Sequence, residues 1–145
     1  MDNVCHSLAG AAIAEAGWAR RRPRAVLLGV IAANIPDVDA VTYVFASSPT
    51  AVAFRRGWTH GLPAVVLWAL GIAYAFAWWN RARPPAGAPS AATPWRTRDF
   101  LALSLVAVAS HPALDLMNTY GVRLLMPFSD RWFYGDTLFI VDLFL

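Results

Sequence analysis

Leu62-Pro-Ala-Val-Val-Leu-Trp-Ala-Leu-Gly-Ile-Ala-Tyr-Ala-Phe-Ala-Trp-Trp79 decides the fold class. This run of 18 residues holds no charge. Wound as an α-helix it reaches about 27 Å, close to the hydrocarbon thickness of a bilayer. Two flanking apolar stretches, residues 25–35 and 100–110, are shorter. Each reaches spanning length only by taking in polar flanks, or else packs as a buried helix against the long one. Composition agrees with a membrane setting. The chain is 58% hydrophobic and 14% charged, whereas a soluble domain carries about 25% charged residues.

Working outward, apolar runs and breakers predict helices over residues 4–18, 24–34, 61–80 and 97–118, with a last helix from about Thr137. Pro36 is expected to stop the second helix, leaving 37–59 as an irregular polar connection that turns at Ser47-Ser48-Pro49. Thr59 is placed to cap the long helix, and Thr97 or Asp99 the next. Pro112 should kink that helix beside His111. Residues 83–95 read as a flexible Pro/Ala linker, and 119–136 as loop. The expectation is one all-α domain over residues 1–145, a membrane-embedded up-and-down bundle of about four to five helices. The final run, residues 138–145, stops without cap or polar flank, so the sequence reads as C-terminally incomplete.

Net charge is +3, and every basic residue is arginine. Arg20-Arg21-Arg22-Pro23-Arg24 lies between apolar segments, where a cytoplasmic loop is the better reading and nucleic acid is not an expected partner. Cys5 is the single cysteine, so no intrachain disulfide forms. The N-terminus lacks a basic start and a small-residue cleavage site, so Asp2 and His6 are expected to stay in the mature protein.

In an up-and-down bundle the helix ends alternate. Asp2/His6, Asp37/Asp39, His60 and His111/Asp115 then gather at one end, joined by Asp136 and Asp142. Eight of the twelve arginines gather at the other. The positive-inside bias puts the arginine end in the cytoplasm and the His/Asp end on the non-cytoplasmic side of a bacterial inner membrane.

All three histidines thus share an end with carboxylates. Asp2/His6 and His111/Asp115 are spaced i,i+4, one turn apart on one helix face. Either pair alone reads equally well as a polar contact at a helix end, and Asp2 also as an N-terminal cap. Asp37 and Asp39, read as an extended turn, would point the same way and repel unless a cation neutralises them or one takes up a proton, and alone they read equally as a solvated turn at a helix end. Imidazole with carboxylate and no thiolate suits zinc, or manganese. Ionisable groups at membrane depth are costly and point to function.

Asn34-Ile-Pro-Asp37-Val-Asp39, Arg56-Gly-Trp-Thr-His60, Ser110-His111-Pro-Ala-Leu-Asp115 with Asn118-Thr-Tyr-Gly121, and Asp136 through Asp142 resemble the membrane-bound metal-dependent hydrolase family. Some of its bacterial members are described as LexA-regulated inner-membrane proteins. The order Asp, His, His-x-x-x-Asp is distantly similar to zinc-dependent phospholipase C and related single-strand nucleases. The resemblance implies Asp37 or Asp39, His60, His111 and Asp115 as metal ligands, with His6 a further candidate. Asp2, Asp136 and Asp142 would support them. Those soluble enzymes supply further histidines that this chain lacks.

The resulting expectation is a hydrolase acting on an ester or phosphodiester at the lipid surface, membrane lipid being the nearest substrate. Asp37 or Asp39 would act as general base, and Arg55, Arg56 or Arg123 would hold an anionic oxygen. The alternative is a non-catalytic membrane protein whose metal clamps helices or handles ions. Ion transport fits poorly, because the long apolar run offers no polar path across the bilayer.

Overall fold

The computed structural model describes residues 2–18, 22, 24–84 and 96–137. Helix α1 covers Asn3–Gly17 and α2 Ala25–Asn34, followed by a 3-10 segment, Ile35–Val41. Short helices α3 (Thr42–Phe45) and α4 (Ser48–Phe54) lead to α5, Leu62–Ala82, and α6, Thr97–Leu116. Among the described residues there is no strand; one isolated antiparallel bridge, Val122 with Phe133, organises the loop after α6. The fold is an all-helical bundle in which α1, α2, α5 and α6 pack together, α2 and α6 touching each of the other long helices.

Three helical stretches are long and apolar enough to cross a membrane: Ala25–Phe45, Leu62–Ala82 and Thr97–Leu116. In the first, α-helix α2 ends at Asn34, ahead of Pro36 as expected, but helical backbone resumes at once as the 3-10 segment, which corrects the expectation of an irregular connection. Pro36 sits in the first turn of the 3-10 segment, where a missing N–H costs nothing and the fixed φ suits helix entry. Helical backbone therefore runs on to Phe45 and carries Asp37 and Asp39 into the span. Pro49 does the same for α4, so the supposed irregular connection is largely helical. The third span reaches its length by including polar ends, as the short apolar core of that segment required. Residues 85–95 of the linker and residues 138–145 of the last helix lie outside the described residues.

Close packing of α1 on α2 explains why both are rich in small residues. A Cβ on Gly10 would meet the Gly29 carbonyl carbon at 2.7 Å and the Ala33 Cβ at 2.8 Å. Ala14, Ala25, Ala32 and Ala33 are fully or almost fully buried around this contact. Small residues let helix backbones approach, which in lipid, where apolar burial drives little association, supplies the packing energy. Asn34 ties the pair further, donating to Ser7 Oγ at 3.0 Å. On the other side, Val65, Ile72 and Phe76 of α5 pack with Phe100, Leu103 and Val108 of α6.

The two ends differ as the alternation predicted. At one, Arg22 bonds Asp99, whose carboxylate also caps the start of α6 by accepting from Arg96 N at 2.8 Å. Arg24 donates to the Arg83 carbonyl at 2.9 Å and lies over the Trp79 ring at 4.5 Å. The other end holds the histidines.

Candidate metal centre

Four side chains from three elements converge there: Asp37 from the 3-10 segment, His60 from the turn before α5, and His111 and Asp115 from α6. One ligand atom from each lies within 4.8 Å of all the others. His60 Nε2 is 3.1 Å from His111 Nε2. Asp37 Oδ1 is 3.8 Å from His60 Nε2 and 3.6 Å from His111 Nε2. Asp115 Oδ2 is 3.5 Å and 3.6 Å from the same two nitrogens. Donors about 2.1 Å from a tetrahedral cation stand about 3.4 Å apart, so the observed separations match that arrangement.

Local structure explains how each donor is aimed. His111 Nδ1 meets the Ala33 carbonyl at 2.6 Å, so that nitrogen carries the proton and Nε2 offers its lone pair to the centre. His60 Nδ1 meets Thr59 Oγ1 at 2.8 Å, and Thr59 in turn donates to Asp39 Oδ2 at 2.8 Å. That chain again leaves Nε2 free to ligate, the usual device for fixing the tautomer of a metal-binding histidine. Gly57 and Gly61 shape the turn that carries His60. A Cβ on Gly57 would press on the Arg123 guanidinium at 2.7 Å, and one on Gly61 on the Met126 carbonyl at 2.6 Å.

Asp37 and Asp39 do not point the same way. The segment is 3-10, not extended, so residues two apart are rotated about 240° around its axis. Asp37 faces the Nε2 side of His60. Asp39 stands at its Nδ1, 3.4 Å away, and also accepts from the Arg56 amide at 2.8 Å.

Charge supplies a second test of fit. Asp39 and Asp115 are buried and Asp37 nearly so, while Arg56 is the buried guanidinium beside Asp115, with Nε 3.5 Å from Oδ2. With neutral imidazoles, the three carboxylates outnumber the Arg56 guanidinium, an excess of negative charge that a bound cation would offset. Asp37 Oδ1 and Asp39 Oδ1 have no hydrogen-bond partner among the described residues. A buried anionic oxygen left so is costly unless a cation meets it.

The remaining predicted residues divide. His6 is fully buried, stacks on His111 at 3.7 Å between ring centroids, and sets Nε2 3.4 Å from Asp115 Oδ1. Burial pushes its imidazole below the ordinary pKa, against the pull of Asp115. Asp2 caps α1 by accepting from Cys5 N at 2.8 Å. Arg55 lies over Tyr43 at 5.6 Å. Arg123 is spent on the carbonyls of Ala53 and Arg55, 3.1 Å to the latter, and covers Trp132. Asp136 is exposed with φ of 50°, and Asp142 lies outside the described residues.

Sequence reasoning passed over Thr59 as a bridge and the Ala33 carbonyl, and gave no role to Asn118, which stood in the quoted motif. Asn118 accepts from Tyr120 N at 2.8 Å, Gly121 N at 2.9 Å and Arg56 Nη1 at 3.3 Å, fixing the turn that presents Arg56 to Asp115. Thr59 and Asn118 had a legible signal, a hydroxyl beside His60 and an amide three residues beyond Asp115. The Ala33 carbonyl had none.

Fold and centre together define a membrane-spanning helical bundle with a His/Asp cluster, able to hold a metal ion, buried at one end. The chain belongs to the YdjM inner membrane protein family, whose sequence profile matches residues 1–145. It is also 30% identical over 115 residues to the uncharacterized protein YfhP of Bacillus subtilis, covering 74% of this chain and 29% of that protein. The chain therefore spans under a third of the length of this curated relative. No solved structure gives a significant match.

Proposed function

We propose that this chain is a membrane-bound metal-dependent hydrolase that cleaves an ester or phosphodiester at the lipid surface, with zinc, or manganese, held by Asp37, His60, His111 and Asp115. The observation that carries this reading is the difference in exposure among the donors. Asp37 has 11% of its side chain open, whereas His60, His111 and Asp115 have none. A centre reached from one side admits a substrate. When bound, a divalent cation there supplies Lewis acidity toward a carbonyl or phosphoryl oxygen and makes water acidic near neutral pH.

The chain's own groups do the rest. Asp37, at the open edge, takes up the proton of the attacking water. Asp39 and Thr59 hold His60 in the ligating tautomer, and the Ala33 carbonyl does the same for His111. Arg56 stands beside Asp115, with Nε 3.5 Å from Oδ2, and offsets its charge. Arg55, half-buried near the open edge, holds an anionic substrate oxygen, and Arg123 braces the loop that carries it. The arginine end faces the cytoplasm by the positive-inside bias, which puts the centre on the other side.

Four donors from three elements also favour a second reading, a closed shell that clamps the 3-10 segment, the α5 turn and α6. Metal content and turnover separate the two. Detergent-purified protein should hold about one zinc or manganese per chain, lost in His111→Ala, and should hydrolyse a chromogenic phosphodiester or ester in mixed micelles, also lost in His111→Ala. Bound metal with no turnover on either substrate class selects the clamp. Protein that stays metal-free after reconstitution refutes both.

A further inference from the structure

The geometry points to an anionic phospholipid bound at the arginine end, with an acyl chain along α5 and its phosphate on Arg83 and Arg24. This site is separate from the His/Asp centre and does not depend on it. A groove of about 440 Å³ runs along the outer face of α5, lined by Ala75, Phe76, Trp78, Trp79, Ala82 and Arg83. The spacing explains its shape. Ala75, Trp79 and Ala82 recur at i, i+4 and i+7 and so share one helix face. The small side chains of Ala75 and Ala82 leave the space, which Trp78 and Trp79 line.

The groove lies within the span Leu62–Ala82, at a depth where the neighbouring molecule is a lipid chain. It opens at the end of the span, where tryptophan rings favour the headgroup level. Arg83 forms its rim. Arg24 lies over Trp79 at 4.5 Å and donates to the Arg83 carbonyl at 2.9 Å, which holds its guanidinium beside the mouth. By sequence position this end carries eight arginines against two carboxylates, Glu15 and Asp99, and Asp99 is already bonded to Arg22. A zwitterionic headgroup would bring a cation into this field, whereas an anionic one brings only the charge it attracts. A basic pocket at the cytoplasmic side of membrane helices is the usual setting for such lipids.

The test reconstitutes the full chain into vesicles of equal phosphatidylglycerol and phosphatidylcholine, with dibrominated chains on one class at a time, and reads tryptophan quenching. Brominated phosphatidylglycerol should quench more, with a selectivity of about fivefold per arginine involved. Arg83→Gln should lower that selectivity, and Arg24→Gln with Arg83→Gln should abolish it. Arg131→Gln, at the other end, should leave it unchanged. Ala75→Phe fills the exposed trough without touching either arginine and should also reduce it, so the test does not rest on one variant folding. Equal quenching by both lipids in the wild type, or a preference that survives both the arginine pair and Ala75→Phe, would overturn the site.

Discussion

Replacing Thr59 by valine keeps the shape of the side chain and removes one oxygen. That oxygen joins two groups, accepting at 2.8 Å from His60 Nδ1 and donating at 2.8 Å to Asp39 Oδ2. Thr59 is 9% exposed and His60 and Asp39 are buried, so water does not replace the lost bond easily. A hydrogen bond to an ionised partner contributes about 1.5–3 kcal/mol. At about 1.4 kcal/mol per tenfold, losing it corresponds to roughly 10- to 100-fold in metal affinity, the range typical of groups that orient a ligating histidine. The assay is competition between the protein and a chromogenic chelator for zinc, in detergent at fixed pH. Thr59→Val should weaken binding by that factor, and Thr59→Ser should restore most of it. An affinity within about twofold of wild type in Thr59→Val, outside that expected range, would refute the argument that the Asp39–Thr59–His60 chain positions Nε2.

Three further outcomes follow from the same structure. Saturating zinc, at about 100 times Kd, should raise the stability of the wild-type bundle by about 2.7 kcal/mol, read as a higher Tm in detergent, with no rise in His111→Ala. Gly10→Ala should destabilise the α1–α2 pair by about 1–3 kcal/mol through overpacking, because the new Cβ meets the Gly29 backbone and Ala33. The same substitution at Gly71, in mid-helix where a Cβ meets nothing within 4 Å, should instead stabilise by up to about 1 kcal/mol in the same unfolding assay. Burial, and after it the charge of Asp2, push the Cys5 thiol above its ordinary pKa. Its thiolate is therefore scarce at neutral pH, so alkylation should be slow there and accelerate only as pH rises past the ordinary thiol range. Asp2→Asn should speed it at fixed pH.

Much of this was legible in the residues. A charge-free run long enough to cross a bilayer required helix, because only helices and closed barrels satisfy the backbone in lipid. Alternating ends then placed every histidine with all the aspartates but Asp99, and eight of the twelve arginines opposite. Helix bounds also followed from local signals, as at Leu62–Ala82 and Thr97–Leu116. The stop of α2 before Pro36 was read correctly, but the residues beyond it were not. Pro36 and Pro49 each stand in the first turn of a new helical segment, so the expected irregular connection is largely helical. Spacing alone could not show that Asp37 and Asp39 diverge, since two residues apart means the same side in extended backbone and about 240° around in a 3-10 turn.

The sequence by itself therefore determined the class of fold, the membrane setting, and which residue types could meet, because these depend on local propensity and on the solvent each face requires. Only the tertiary structure decided which oxygen faces which nitrogen. The Ala33 carbonyl stands 78 positions from His111, and Arg56 lies far in the chain from both Asn118 and Asp115. Such contacts depend on how α2, the turn before α5, and α6 dock on one another, and that follows from packing of the whole bundle, which no local pattern encodes.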